Sequence, residues 1–345
     1  MHTTNITILK GEKFMNTLLL TESEIISLID MREIIEICDK TFKGMDNGTV
    51  LNPTKVLLDL GETAKYPPYG GFMNAMPAYI GFTQTAGIKW AGGNVKERKQ
   101  AGLPYLSALI ILMDPSTAIF KAVMDGSHIT NMRTGAQTAV ALSHILTYRK
   151  SLRLGLFGAG MQAHTQTLSI SNVFDINEVR VYDISHSAAV KYKEDMKNII
   201  KGDIIICETP QETCDVDVIV CVTQSKQALV MDEWVKPGTI VFPMGSYQEA
   251  EDKLIKNADA IVVDHIGQCL HRGALAHAVE NGEIGETDIT ATIGEIASGV
   301  KSIGDISNKR IICVPIGTGA MDVAVASIVY ERALEHGIGT YYNFL

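Results

Sequence analysis

From Leu152 onward the chain alternates short apolar runs with polar, helix-like stretches, and this rhythm limits its possible folds more than any other feature. The apolar runs are Leu152–Phe157, Val179–Tyr182, Ile204–Cys207, Val216–Val222, Thr239–Pro243, Ala260–Val263 and Ile311–Ile316. Helix-like patterns occupy Met161–Val173 and Ser187–Ile200 between them. Strands spaced by helices pair in parallel through right-handed crossovers, which predicts a doubly wound α/β sheet.

Gly158-x-Gly160-x-x-Ala163 stands where the first of these strands turns into the first of these helices. In that setting the first glycine permits a tight turn, and the second lets backbone N–H groups approach a pyrophosphate. Ala163 allows the helix to pack closely on the strand. The helix N-terminus adds partial positive charge for phosphate. Val179–Tyr182 then ends at Asp183, where a carboxylate can accept hydrogen bonds from ribose hydroxyls. The same carboxylate would repel a 2′-phosphate, and Ile184-Ser-His-Ser187 supplies no arginine to accommodate one. The pattern therefore points to a dinucleotide, and to NAD rather than NADP.

The composition narrows the remaining choices. A chain of 345 residues exceeds one ordinary core, and 46% apolar with 20% charged residues is the profile of a folded protein. A net charge of -9 argues against nucleic acid or an anionic membrane as partner. The chain has no run of 18 apolar residues and its start lacks a secretory h-region, so neither a membrane span nor a leader is expected. Its six cysteines include no C-x-x-C pair and several lie inside apolar runs. Buried free thiols in a reducing cytoplasm are the expectation, with no metal.

The first half has a different texture. Thr21–Asp46 reads as a helix with Thr21-x-x-Glu24 as a capping box. Short β-like runs, Val56–Leu60, Ala86–Ala91 and Leu106–Leu112, follow between Pro53 and Pro115. Thr130–Leu146 reads as a second helix with Arg133 in its first turn, preceded by Asp125 and His128 as turn and cap residues. Met73, Met76, Met113, Met124 and Met132 read as core packing. Three cations are noticeable here. Lys89, in a strand between Ile88 and Trp90, would need an anionic partner if it points inward. Arg133 could clamp a carboxylate with both arms, and Lys55 adds further charge. His271 could orient a substrate, although a structural role is the commoner one.

At these residues the chain resembles the ornithine cyclodeaminase/mu-crystallin family. The resemblance is carried by Met76-Pro77, Lys89-W-A-G-G-N, Gly102-Leu103-Pro104, Met132-Arg133-Thr134-Gly135-Ala136, Gly158-A-G-M-Q and Gly317-T-G-A-M-Asp322, in that order, between Met15 and Leu345. It implies a Rossmann-type NAD-binding domain over 149–317. It also implies an α+β substrate-binding and dimerisation domain over 1–148, completed by a C-terminal helix within 318–345. Lys89 and Arg133 would contact the substrate carboxylate, Lys89 would move the proton, and Asp322 would line the same site. Lys55 and Asn74 join them as substrate-binding positions. Gly158, Gly160, Met161, Gln162, Ala163, Asp183, Thr223, Gly245 and Ser246 would hold the cofactor. The implied chemistry is hydride exchange between nicotinamide and a carbon bonded to nitrogen, in a homodimeric enzyme.

Departures from the family pattern shape the functional expectation. Ornithine-converting members carry an acidic residue at the position of Asn74, and an Asp in the loop that here reads Gly245-SYQEAED-Asp252. Glu249, Glu251 or Asp252 are the available substitutes. Lys55 stands where many members have Arg. The expectation is an NAD(H)-dependent oxidoreductase acting on the C–N bond of a small L-α-amino acid or its imine. The alternatives are ornithine cyclodeaminase proper, converting L-ornithine to L-proline and ammonia with internally recycled NAD, and a non-enzymatic binding protein on the same fold.

Overall fold

The computed structural model describes residues 16–61, 70–93, 98 and 100–344. The chain forms β1 (Asn16–Leu20), β2 (Val50–Leu51), β3 (Val56–Leu60), β4 (Gly71–Ile80), β5 (Thr85–Gly93), β6 (Leu106–Met113) and β7 (Phe120–Asp125). It continues with β8 (Ser151–Phe157), β9 (Asp175–Tyr182), β10 (Asp203–Ile206), β11 (Val218–Cys221), β12 (Ile240–Pro243), β13 (Ala260–Val263), β14 (Ile289–Thr292), β15 (Ile311–Val314) and β16 (Thr340–Asn343). They make two eight-stranded sheets.

In the second sheet the order is β10-β9-β8-β11-β12-β15-β13-β14, and every neighbouring pair is parallel. Both faces are covered, as a parallel sheet requires. Val218 and Val220 of β11 point into one apolar core, Ile219 and Cys221 into the other, and β12 and β15 alternate in the same way. The chain reverses direction of strand order between β8 and β11, so the crevice at their carboxyl ends is where a doubly wound sheet takes its ligand.

The first sheet runs β16-β1-β7-β6-β5-β4-β2, with β3 paired to β4, and is mostly antiparallel. Its inner face lies under the C-terminal helix Gly319–His336, which packs on β4, β5 and β6. A Cβ on Gly319 would lie 2.5 Å from the Met76 carbonyl oxygen, so only glycine lets the helix start this close to β4. The outer face carries exposed Trp90, Leu109 and Phe120.

Several elements differ from the sequence expectation. Thr21–Asp46 is two helices, Glu22–Ile26 and Met31–Asp46, each opened by its own capping box, at Thr21/Glu24 and Asp30/Glu33. The second box supplies a fresh helix start where the apolar period alone suggested continuity. The Arg133 helix spans Ser127–Ile145, its start held by Asp125 Oδ1 accepting from the Ser127 and His128 N–H groups. Arg133 is therefore one turn deeper than expected. Met76 and Met124 are buried, whereas Met73 lies exposed on the outer face. Strand β16 had no clear signal in the sequence, yet it pairs with β1, joining the last described strand to the first. No helix among the described residues is long and apolar enough to cross a membrane.

Candidate active site

Lys89 lies on the inner face of β5, opposite Met76 of β4, while its neighbour Trp90 faces out. The period of two in the strand thus drives the lysine under the C-terminal helix. There Asp322, in the first turn of that helix, meets it at 2.7 Å, in close ion contact but off the hydrogen-bond angle. Arg133 reaches the same carboxylate from its own helix, with Nε donating to Asp322 Oδ1 at 3.0 Å, and the Thr130 hydroxyl donates to that oxygen at 3.3 Å. All three charged side chains are buried.

Burial of two cations around one carboxylate sets the electrostatics. Lys89 is pushed down to about 8, first by burial and then by Arg133, with Asp322 opposing. Burial alone would raise Asp322, but the Arg133 and Lys89 charges outweigh it and hold the carboxyl below its ordinary range. A lysine poised near 8 can both carry charge and give up a proton, which suits it to acid–base work.

A third cation closes on this group from the edge of the sheet. Lys55 Nζ donates to the carbonyls of Ile316 and Gly317, at 3.2 and 3.4 Å. It keeps some exposed surface, yet its ammonium is enclosed deeply enough to be pushed down to about 7, by burial, then Arg272, with Arg133 and Lys89 adding to it. Gly317 itself has φ of 90°, and a Cβ there would stand 2.7 Å from Arg133 Nη1. Glycine is needed both for the backbone conformation and for the guanidinium to lie against it. Asp264, at the end of β13, accepts from the Gly317 N–H at 2.6 Å, and burial raises its pKa. These contacts seat the cations against the carboxyl edge of the parallel sheet.

Arg272 is the residue that sequence reasoning missed. It follows the short helix Ile266–Cys269, and its Nε donates to Ser246 Oγ at 2.8 Å while Nη1 donates to Asn74 Oδ1 at 3.2 Å. Asn74 is buried on the same face of the first sheet as Lys89, so Arg272 bridges the two sheets. The neighbouring His271, noted in the sequence, is exposed. The only signal in the sequence was Asn74, an uncharged residue where an acid was expected, which gains meaning once a cation is seen beside it.

The glycine turn sits beside this group. Gly158 has φ of 95° and lies 3.0 Å from the Val222 carbonyl by its would-be Cβ, while nothing stands within 4 Å of one on Gly160. The helix Met161–Ser171 starts with no side-chain cap, which leaves the N–H groups of its first turn for an outside acceptor. Ala163 is buried beneath them. Asp183 Oδ2 accepts from the Ala159 N–H at 2.8 Å and Oδ1 from the Ser185 N–H at 2.7 Å, so the carboxylate is aimed at the turn with lone pairs to spare. An open backbone cradle facing a fixed carboxylate fits a dinucleotide. Met161 is exposed at the cradle mouth. The Gln162 side chain is otherwise engaged, donating to Asn131 at 3.0 Å and so docking this helix on the Arg133 helix. Thr223 donates from both N and Oγ1 to buried Glu249, at 2.6 and 2.7 Å, and Gly245 and Ser246 lie on the loop after β12.

The chain and its fold are similar to known proteins. Residues 15–337 match the ornithine cyclodeaminase/mu-crystallin family. The chain belongs to that family. Alanine dehydrogenase of Archaeoglobus fulgidus is 35% identical over 96% of this chain and 99% of its own. Ketimine reductase mu-crystallin of Rattus norvegicus is 29% identical over 84% and 87%. Among solved structures, an archaeal alanine dehydrogenase dimer with bound NAD is similar with a TM-score of 0.87 at 34% identity, covering 96% of this chain and 100% of that one. Thermococcus litoralis Δ1-pyrroline-2-carboxylate reductase, in complex with NADH and L-proline, also gives 0.87, at 29% identity and 94% and 99% coverage.

The structure shows what stands at the two places where the sequence reading looked for the acids of ornithine-converting members. Asn74 is met by Arg272, a charge of opposite sign to the missing acid. None of the acidic residues in the 245–252 loop enters the cation group. Glu249 serves Thr223, Glu251 accepts from the Asp232 N–H at 2.8 Å, and Asp252 bonds Gln248 and His277.

Proposed function

We propose that this family member is an NAD(H)-dependent oxidoreductase acting on the C–N bond of a small L-α-amino acid or its open or cyclic imine. The observation that carries the reading is the group of buried and half-buried cations at the mouth of the nucleotide cradle. Lys55, Lys89, Arg133 and Arg272 outnumber the carboxylates of Asp264 and Asp322, an excess that calls for an anionic substrate. Alanine dehydrogenase and pyrroline-2-carboxylate reductase relatives support the reaction class.

A bound nicotinamide supplies the hydride in reduction and accepts it in oxidation. Arg133, Lys89 and Lys55 hold the substrate carboxylate, fixing C2 against the cradle. Lys89 takes the proton from the substrate nitrogen in oxidation and returns it from Nζ in reduction. Asp322 positions both Lys89 and Arg133 for this. The first turn of the Met161–Ser171 helix takes the pyrophosphate and Asp183 the ribose hydroxyls, with Ile184, 94% exposed, offering an apolar platform beside them. In this reading residues 149–317 form the cofactor domain, and 1–148 with 318–345 form the substrate domain. The outer face with Trp90 and Leu109 is the surface of a homodimer, whose burial would remove an apolar patch from water. Buried, free cysteines fit a cytoplasmic setting.

The experiment is NADH oxidation with a panel of 2-oxo acids plus ammonia and with Δ1-pyrroline-2-carboxylate, beside L-ornithine with catalytic NAD. Turnover of an imine from the panel is expected, with a loss of at least about 100-fold in kcat for Lys89→Ala. Proline and ammonia from ornithine without net NADH would instead make the chain a cyclodeaminase. An undiminished Lys89→Ala enzyme would remove Lys89 from the mechanism.

A further inference from the structure

The four cations do not share one condition. Lys89 and Arg133 have Asp322 between them, and Lys55 is tied to two carbonyls and lies in the field of Asp264. Arg272 differs. It is half-buried, its two contacts are to neutral oxygens of Ser246 and Asn74, and no carboxylate pairs with it among the described residues. The neutral phenols of Tyr105 and Tyr247 stand near it, their hydroxyls 3.4 Å apart. A guanidinium presents five donors, and two are used here.

Its location adds direction. Asn74 precedes Met76 by two residues on β4, and Met76 lies opposite Lys89 on β5. Same-face positions on a strand are about 7 Å apart, so Nη1 is held on the same wall of the pocket as Lys89, one same-face step further along it. The loop bearing Ser246 fixes the guanidinium from the opposite sheet, so the side chain is restrained at both ends of its fork. A cation restrained in this way, taken partly out of water and given no anion by the protein, is a site prepared for an anion on a ligand.

We propose that Arg272 binds a second anionic group on the substrate, and that the substrate is therefore a 2-imino or 2-amino dicarboxylate whose side-chain carboxylate lies one or two methylenes beyond C2. Asn74 allows this because it orients the guanidinium without neutralising it. An acid at position 74 would satisfy Arg272 internally and leave the pocket suited to a neutral or cationic side chain. This inference rests on the reaction proposed above. The C1 carboxylate stays with Lys89, Arg133 and Lys55, and the reduction is balanced as before: the hydride goes to C2, Lys89 Nζ gives its proton to the imine nitrogen, and water has already left on imine formation.

The test compares NADH oxidation with oxaloacetate plus ammonia, 2-oxoglutarate plus ammonia, and pyruvate plus ammonia, in wild type, Arg272→Gln and Asn74→Asp. The wild type is expected to favour one dicarboxylate over pyruvate in kcat/KM. Arg272→Gln should shrink that ratio about 10- to 100-fold, mostly through KM, as removal of a charge-assisted contact does. Asn74→Asp, nearly the same shape as the native residue, should shrink it in the same direction without removing the arginine, and Arg272→Lys should restore part of it. A wild type that turns over pyruvate but prefers no dicarboxylate overturns the inference and leaves the reaction class standing. So does an Arg272→Gln enzyme whose KM rises for NADH instead of for the dicarboxylate, which would give the guanidinium to the cofactor. A wild type inactive on every imine in the panel overturns the reaction class itself.

Discussion

The nucleotide cradle and the charged group lie side by side, yet they are built from different materials. The cradle is mostly backbone: a glycine turn, the open end of a helix and one carboxylate, all drawn from residues 158 to 183. The charged group is mostly side chain, drawn from positions 55, 89, 133, 264, 272 and 322: Asp322 holds Lys89 and Arg133, while the backbone at 316–317 ties in Lys55 and Asp264. A cradle of backbone tolerates losing a side chain because the fold itself supplies the donors. A buried charge group does not, because every member left behind is an uncompensated ion.

The largest expected effect tests that difference directly. Asp322→Ala should destabilise the fold by about 3–5 kcal/mol, since it strands Lys89 and Arg133 together out of water. Denaturant unfolding reads this. A loss under 1 kcal/mol would mean that the cations relax to solvent and that the group is less tightly built than the contacts indicate.

Glu249 sharpens the comparison because it places charge-group physics on the cradle side. Its carboxyl is buried, holds Thr223, and is pushed up to about 7 by burial against the bonds from Thr223. The folded state therefore keeps a proton that the unfolded chain, titrating near 4.5, gives up. The resulting stabilisation is complete below 4.5 and is lost as pH rises through 7. Relative to Glu249→Gln, the wild type should lose about 3 kcal/mol between pH 4.5 and 8. Parallel unfolding curves across that range would show that the carboxyl finds water or a cation in the folded state.

Much of this difference also decides what could be read from the sequence. The cradle was legible because each part sits at a fixed distance along the chain from the others: Gly158, Gly160, Ala163 and Asp183 announce themselves by spacing and by the strand–helix pattern around them. Lys89 and Arg133 were legible as unusual cations and as family positions, and an anionic partner for Lys89 was required by burial alone. That the partner is Asp322 depends on the C-terminal helix crossing β4 and β5, which no local pattern encodes. Arg272 was passed over altogether: it sits in an ordinary Cys269–His277 stretch, and only the approach of the two sheets puts it on Asn74. Strand β16 was missed for a similar reason, since its four residues have meaning only as partners of β1.

The pH dependence of carboxylate affinity gives a smaller effect that still separates the two regions. With Lys55 pushed down to about 7 and Lys89 to about 8, the pocket loses positive charge as pH climbs through that window. Inhibition by propionate against the imine should weaken as pH rises from 6.5 to 9, by up to about tenfold per unit where a needed lysine titrates. The Kd for NADH, set by backbone donors, should stay nearly level over the same range. Affinities that fall together would mean that the lysines also hold the cofactor.

Asp183→Asn is the mildest change and tests the claim that the cradle is mainly backbone. The amide keeps the shape and can still accept from one of the two N–H groups, Ala159 or Ser185, but it loses the charge that the proposed site offers to the ribose hydroxyls. Removing a charge-assisted contact of this kind costs about 1–2 kcal/mol, so the Kd for NADH should rise about 5- to 30-fold while unfolding stability moves by less than about 1 kcal/mol. Discrimination against NADPH should narrow in the same variant, because the repulsion of a 2′-phosphate goes with the charge. Fluorescence titration with both nucleotides measures the pair of effects. If NADH binding is abolished instead, Asp183 is holding the Gly158–Gly160 turn in shape through the Ala159 N–H, and the cradle depends on a side chain as much as the charged group does.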